Sequence, residues 1–199
     1  MPPIEEVRHY LRGIVLLVRQ NPAGFRWLDL TDRGLQRSFW AIAWCFPLMI
    51  PNWVWWHGLF TVYGPVGAET GLLFYVRMAV IEISLWFLPY LTIGAVMAWR
   101  GLAPRFDAMV IAMNWLNVPV YILTAAIALL EILIPAPLEL WYYVIQLQLV
   151  VVIAAQFSVF FVLAQKNWFN AIAMTAASII PSMFASVWLN SFLNVSIGS

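Results

Sequence analysis

Residues 140–164 read LWYYVIQLQLVVVIAAQFSVFFVLA, a run without a single Asp, Glu, Lys or Arg. As a helix rising about 1.5 Å per residue it would cover roughly 37 Å, more than the roughly 30 Å hydrocarbon core of a bilayer. Four further apolar runs of similar length lie in the same 199 residues. No water-soluble core of this size could enclose five such helices. The chain is 64% hydrophobic and 10% charged, against roughly 25% charged in soluble domains, and its mean hydropathy is +0.86.

The pattern therefore predicts an all-α integral membrane protein with five transmembrane helices, preceded by an amphipathic interfacial helix. The spans fall at about 38–62, 72–98, 108–134, 138–164 and 168–195. Residues 1–36 form a cytoplasmic amphipathic segment, and 37–199 form the five-helix transmembrane domain. The connections between spans are short, so each span returns antiparallel beside its predecessor.

Orientation follows from the basic residues, which accumulate in cytoplasmic loops. Arg8, Arg12, Arg19, Arg26, Arg33 and Arg37 precede the first span, Arg100 and Arg105 lie in the second loop, and Lys166 lies in the fourth. The first and third loops hold none. All but Arg77 then fall on one side, which predicts a cytoplasmic N-terminus and a periplasmic C-terminus in a bacterial inner membrane. The opening Met-Pro-Pro-Ile-Glu-Glu lacks the basic start and continuous apolar core of a signal peptide, so no cleavage is expected.

Projected at about 100° per residue, Ile4, Val7, Tyr10, Leu11, Ile14, Val15, Leu17 and Val18 share one arc. Glu5, Glu6, Arg8, His9, Arg12, Gly13, Arg19 and Gln20 fill the other, and Leu16 fits neither pattern. Two readings are open. Such a helix lies in the interface with Arg8, Arg12 and Arg19 on lipid headgroups, or it packs on the protein's own cytoplasmic face. Asn21-Pro22-Ala23-Gly24 ends it. Asp29, with Asp32 in the first turn, is the expected N-cap of a helix running straight into the first span.

Ionisable and amide groups inside spans are expensive, and each is a candidate site. Arg77 can reach the outer interface along its aliphatic stem. Glu82 is near mid-span, and the rotation between positions five apart points Arg77 elsewhere. Its partner must come from a neighbouring helix, and Pro89 on nearly the same face frees a backbone carbonyl one turn back. Asn117, Thr124 and Glu131 recur every seven residues in the third span, with Asn114 and Tyr121 on the adjoining strip. Gln146, Gln148 and Gln156 of the fourth span are expected to complete a network with them. Polar groups bonded in this way act as helix glue, or they line a pathway.

The fifth span repeats Ser178, Ser182, Ser186, Asn190 and Asn194 every four residues beside Pro181, a spacing expected of a helix-contact face. Every span except the fourth contains proline.

Cys45 is the only cysteine, which excludes an intramolecular disulfide, a CxxC pair and a cysteine-based zinc site. His57 is the one histidine inside a span, so bis-histidine cofactor ligation is not expected. No P-loop, GxSxG, HExxH or GxGxxG motif occurs. No catalytic residue, metal, cofactor or nucleic-acid partner is expected. The partners expected are the lipid bilayer and another membrane protein or a second copy of the chain.

The layout of a cytoplasmic segment, five close-set spans and an exoplasmic C-terminus resembles the Yip1-domain family of small multi-span proteins. That family's Asp-Leu-Tyr-Gly-Pro signature is echoed at Leu28-Asp29-Leu30-Thr31-Asp32-Arg33-Gly34, without the Tyr-Gly-Pro core. Asn21-Pro22-Ala23-Gly24-Phe25 followed by Gly34-Leu35-Gln36-Arg37-Ser38-Phe39 is also similar to bacterial inner-membrane proteins of unassigned function. The resemblance implies partner binding or membrane shaping and supplies no site residue. The function expected is a non-catalytic scaffold or accessory subunit. The alternative is a transporter or channel component using the polar faces of spans two to four, and intramembrane enzymology comes third.

Overall fold

Helix α1, Ile4–Val18, stops where Gln20 enters the left-handed region at φ 58°. The amides of Gln20 and Asn21 close back on the carbonyls of Leu17 and Leu16, which satisfies the last turn. Pro22 then opens a short 3-10 helix, Pro22–Trp27, with the Asn21 side chain accepting from the Ala23 amide at 3.0 Å. This computed structural model describes residues 2–197, so the last two residues of the expected transmembrane domain lie outside the described residues. Every regular element among the described residues is helical.

The 3-10 segment folds back onto α1 at a glycine pair. A Cβ on Gly24 would sit 2.5 Å from the Gly13 carbonyl oxygen, and one on Gly13 would sit 2.8 Å from that of Gly24. Only two hydrogens let the backbones approach so closely. Gly13 was expected on the polar arc, yet it is buried, because the returning chain covers that side of α1.

Helix α2, Asp32–Ser38, departs from expectation at both ends. Its N-cap is Thr31, whose hydroxyl accepts from the Gly34 amide at 3.2 Å. Asp29 instead braces the cap, accepting from the Thr31 amide at 3.1 Å and from its hydroxyl at 2.7 Å. The Thr31 hydroxyl, with Arg37 and Arg33 near by, holds the Asp29 carboxyl below the usual carboxylate range. Nor does α2 run straight into the first span, because a turn at Phe39–Trp40 separates it from α3, Ala41–Tyr63.

Four helices then follow: α4, Leu72–Trp99; α5, Phe106–Leu133; α6, Leu138–Leu163; and α7, Trp168–Phe192. They fall on the expected second to fifth spans, and all four are long and apolar enough to cross a membrane. At 23 residues α3 has the length, but Pro47, Pro51, Asn52 and His57 interrupt its apolar run, and it is not among those four.

Within the bundle α3 lies along α5, α4 along α7, and α6 joins α5 to α7. Thr92 donates to the Ala177 carbonyl at 2.6 Å, tying α4 to α7. At one end of the bundle Arg100 donates to Asn170 at 2.8 Å and lies 4.8 Å from the Phe169 ring. Arg105 donates to the Leu163 carbonyl at 2.6 Å, where the last turn of α6 has no helical donor. The arginines of the second loop are thus also helix-end staples.

The N-terminal segment sits at that same end. Phe25 and Leu30 lie beside Arg105, Ala108, Val162 and Leu163. Helix α1 packs on α5 and α6, burying Val7, Tyr10, Ile14 and Leu17, with the Tyr10 ring 4.7 Å from that of Trp115. Ile4 and Val15 of the apolar arc remain exposed, as do Arg8, Arg12 and Arg19. Most of that arc therefore faces protein. Arg37 pairs with Glu6 at 2.6 Å, the only ion pair among the described residues, and Tyr10 donates to the same carboxylate. Burial and that carboxylate push the Tyr10 phenol above its ordinary range. With α1, α2 and α3 wrapped around it, α5 is buried on all sides from Met109 to Leu116.

Candidate functional site: a polar-walled cavity along α5

Positions 113, 117, 121, 124, 128 and 131 follow one another at steps of three and four, so they share one face of α5. That face is lined by two adjoining cavities. The inner one, about 490 Å³, lies among α4, α5, α6 and α7 and reaches Met113, Asn117 and Tyr121. The outer one, about 500 Å³, lies among α3, α5 and α6 and reaches Thr124, Ala128 and Glu131. Leu149 and Val152 of α6 wall both. Each volume is in the range of small-molecule pockets.

Asn114 lies behind Trp86 and Tyr90, two residues of the inner cavity's wall that both bond to it. Fully buried, it accepts from the Trp86 indole at 2.9 Å and from the Tyr90 hydroxyl, and donates to the Ser38 hydroxyl at 2.8 Å. Ser38 in turn donates to the Leu35 carbonyl at 2.7 Å. Helices α2, α4 and α5 therefore meet at one amide, eight residues or about 12 Å into α5. The sequence marks Asn114, but Ser38, Trp86 and Tyr90 carry no such mark, since hydroxyls and indoles are common in spans and only the fold brings them within reach.

The missing partner of Glu82 is Tyr121, which donates its hydroxyl to the carboxyl at 2.7 Å. A neighbouring helix does supply the bond, but from a side chain, and Glu82 is the acceptor. The other side of Glu82 faces a void of about 40 Å³ walled by Met49, Phe46, Trp53 and Trp86, room for a single water. The buried Trp53 indole on that wall is a second donor beside the Glu82 carboxyl, although its N–H stays outside strict hydrogen-bond geometry. Glu82 is thus screened from the main cavity by Tyr121, whose ring stacks on Trp86 at 5.8 Å.

The remaining polar residues divide. Gln148 donates to Thr124 at 2.6 Å and so joins the stripe of α5, whereas Gln156 accepts from Ser178 of α7 at 3.3 Å, lining the inner cavity without a bond to α5 among the described residues. Gln146 does neither, being exposed. Two residues apart on a helix means about 200° of rotation, so Gln146 and Gln148 cannot face the same way. Glu131 lines the outer cavity, and its Oε1 is buried without a partner. Arg77 is half-buried on α4 and borders neither cavity.

The serine ladder of α7 turns toward the inner cavity. Ser178, Ser182 and Ser186 all line it. Ser182 donates to the Ser178 carbonyl at 2.7 Å, and Asn190 donates to that of Ser186 at 2.8 Å, so part of the ladder is satisfied within its own helix. Asn194 takes φ 53° and ends the helix. His57 bonds through Nε2 to the Thr70 carbonyl at 2.9 Å, anchoring the α3–α4 loop.

Between its polar groups the cavity wall is apolar, with Leu85, Pro89, Val152, Ile153 and Ile179 prominent in the inner part. Neither cavity is lined by Lys, Arg or His. No group of three metal-ligating side chains occurs among the described residues. Such a site offers shape, hydrogen bonds and one peripheral carboxylate, and it lacks a nucleophile with an adjacent base. Compared with protein-family models, curated proteins and solved structures, the chain has no match.

Proposed function

We propose that this chain is a multi-pass membrane protein that binds a small, largely apolar molecule within its bundle, as the ligand-binding component of a transport system. The observation that carries the reading is the convergence of polar residues from α5, α6 and α7 on two adjoining cavities. Groups serving only as helix glue would be spent on one another. Here Tyr121, Gln156, Ser178 and Ser182 are bonded within the bundle and yet also line open space, and Asn117 faces that space with no bond of its own among the described residues. A scaffold or accessory subunit has no use for such a space.

The topology that goes with this reading has five spans and a cytoplasmic N-terminus. Ser38 meets Asn114, while Asn52, Trp55 and Trp56 stand opposite Thr124 to Glu131, so α3 runs in the same direction as α5. Its 23 residues reach about 34 Å. The basic N-terminal segment and the Arg100–Arg105 loop meet at one end, and the positive-inside tendency puts that end in the cytoplasm. The cavities then lead from mid-membrane toward the periplasmic face of a bacterial inner membrane.

Single cysteines at Ser182, Ser186 and Asn117 in a Cys45→Ser background test the proposal. Intact cells are treated with a charged, membrane-impermeant thiol reagent, with Gly67→Cys in the α3–α4 loop as the reactive control and Phe184→Cys on the exposed face of α7 as the unreactive one. Labelling at Ser186 and Ser182, weakening toward Asn117, is the expected result. Labelling at position 67 alone would mean a closed bundle and return the scaffold reading.

A further inference from the structure

The outer cavity has an electrostatic sign. Its one ionisable side chain is Glu131, and Glu131 Oε1 is buried with no partner within the protein. A carboxylate on the wall of a cavity that holds no base favours a positive charge brought from outside. The tryptophans around it favour the same sign. Trp55 and Trp56 present indole rings 6.2 Å apart, and the Trp56 N–H is committed to the Val195 carbonyl at 3.2 Å, which fixes that ring. Gln148 donates one amide N–H to Thr124, and Asn52 adds a second amide to the wall, so these neutral groups suit a ligand of either sign. The carboxylate and the π faces set the preference, because an anion would meet an acid and no base.

We infer that the outer cavity holds the charged head of an amphipathic organic cation, with Glu131 as counter-ion and the Trp55 and Trp56 rings against the head. The apolar body extends into the inner cavity, whose wall is mainly hydrocarbon and aromatic. This rests on the reading of the cavities as a ligand site and adds the chemical class of the ligand. A primary or secondary ammonium would also donate to the Glu131 carboxylate, and a quaternary one would be held by charge and ring faces alone.

The test uses the full chain in lipid nanodiscs and radiolabelled tetraphenylphosphonium, measured by equilibrium dialysis against empty nanodiscs. Saturable binding is expected, weakened about tenfold or more by Glu131→Gln and about three- to tenfold by Trp55→Leu, at unchanged unfolding temperature. Tetraphenylborate, the anion of the same shape, should not saturate. Equal saturable binding of the borate, or phosphonium binding unaffected by Glu131→Gln, overturns the inference. Absence of saturable phosphonium binding overturns it as well, and means that water alone satisfies Glu131. The cysteine labelling separates the two levels: with Ser182→Cys reactive the cavity reading stands without the cation, and with it unreactive both fall.

Discussion

Tyr121 of α5 donates its hydroxyl to Glu82 of α4 at 2.7 Å while its ring stacks on Trp86, so one side chain both satisfies the deepest acid and walls it off from the cavity. Glu82→Gln keeps an acceptor oxygen at nearly the same volume and is expected to cost less than about 1 kcal/mol. Glu82→Leu strands the Tyr121 hydroxyl and should cost about 1 to 3 kcal/mol. Thermal unfolding in detergent ranks the three proteins. If Gln proves as damaging as Leu, the site needs a carboxyl group and the hydrogen-bond account is wrong.

Asn114 is the point where the N-terminal segment locks to the bundle. Asn114→Leu leaves the Trp86 indole, the Tyr90 hydroxyl and the Ser38 hydroxyl short of a partner and is expected to destabilise the protein by about 1 to 3 kcal/mol. Ser38→Ala alone should cost less. Combining the two should add little to Asn114→Leu, since the bond they share is already gone. Full additivity in that double-mutant cycle would deny the coupling.

The fold-back of residues 22–27 onto α1 depends on the Gly13–Gly24 contact. Gly24→Leu would drive its Cβ into the Gly13 carbonyl and the Leu17 side chain, an overpacking that costs about 1 to 3 kcal/mol. The damage should be local. Amide exchange should speed up in α1 and in residues 22–27 while α5 to α7 keep their protection, and a uniform loss would show that the segment is integral to the bundle.

Asp29 makes the start of α2 sensitive to acid. Because the Thr31 hydroxyl holds its carboxyl below the ordinary range, the fold favours the ionised form. Its stabilisation is complete above the unfolded value near pH 4 and is lost as the pH falls through the lowered folded value. The carboxyl lies near the surface and is screened by solvent, so the effect is small. Amide exchange at Gly34 and Leu35 should rise between pH 5 and pH 3 relative to α5, and Asp29→Asn should flatten that rise.

The helices were legible because their cause is local. Runs such as residues 140–164 satisfy their own backbone groups only as helices, and Asn21-Pro22 must interrupt one, whatever the rest of the chain does. The polar residues of α5 were legible for the same reason, since spacing alone puts Asn117, Thr124 and Glu131 on one stripe. Side-chain choices within a few residues were harder. Thr31 and Asp29 are both able caps, and only the backbone path chose Thr31.

What the stripe faces was decided by tertiary structure alone. Glu82 and Tyr121 are thirty-nine positions apart, and Ser38 and Asn114 seventy-six, so their pairing depends on how α2, α4 and α5 are arranged and not on any local pattern. The same holds for the serine ladder of α7, which local spacing cannot distinguish between a helix contact and a cavity wall, because small hydroxyl residues suit both. The sequence by itself determined that these groups lie inside apolar helices, through hydrophobicity and helical period. Packing decided which of them meet and which were left lining open space, because hydrogen bonding across helices requires a fit within about 3 Å that no periodicity encodes.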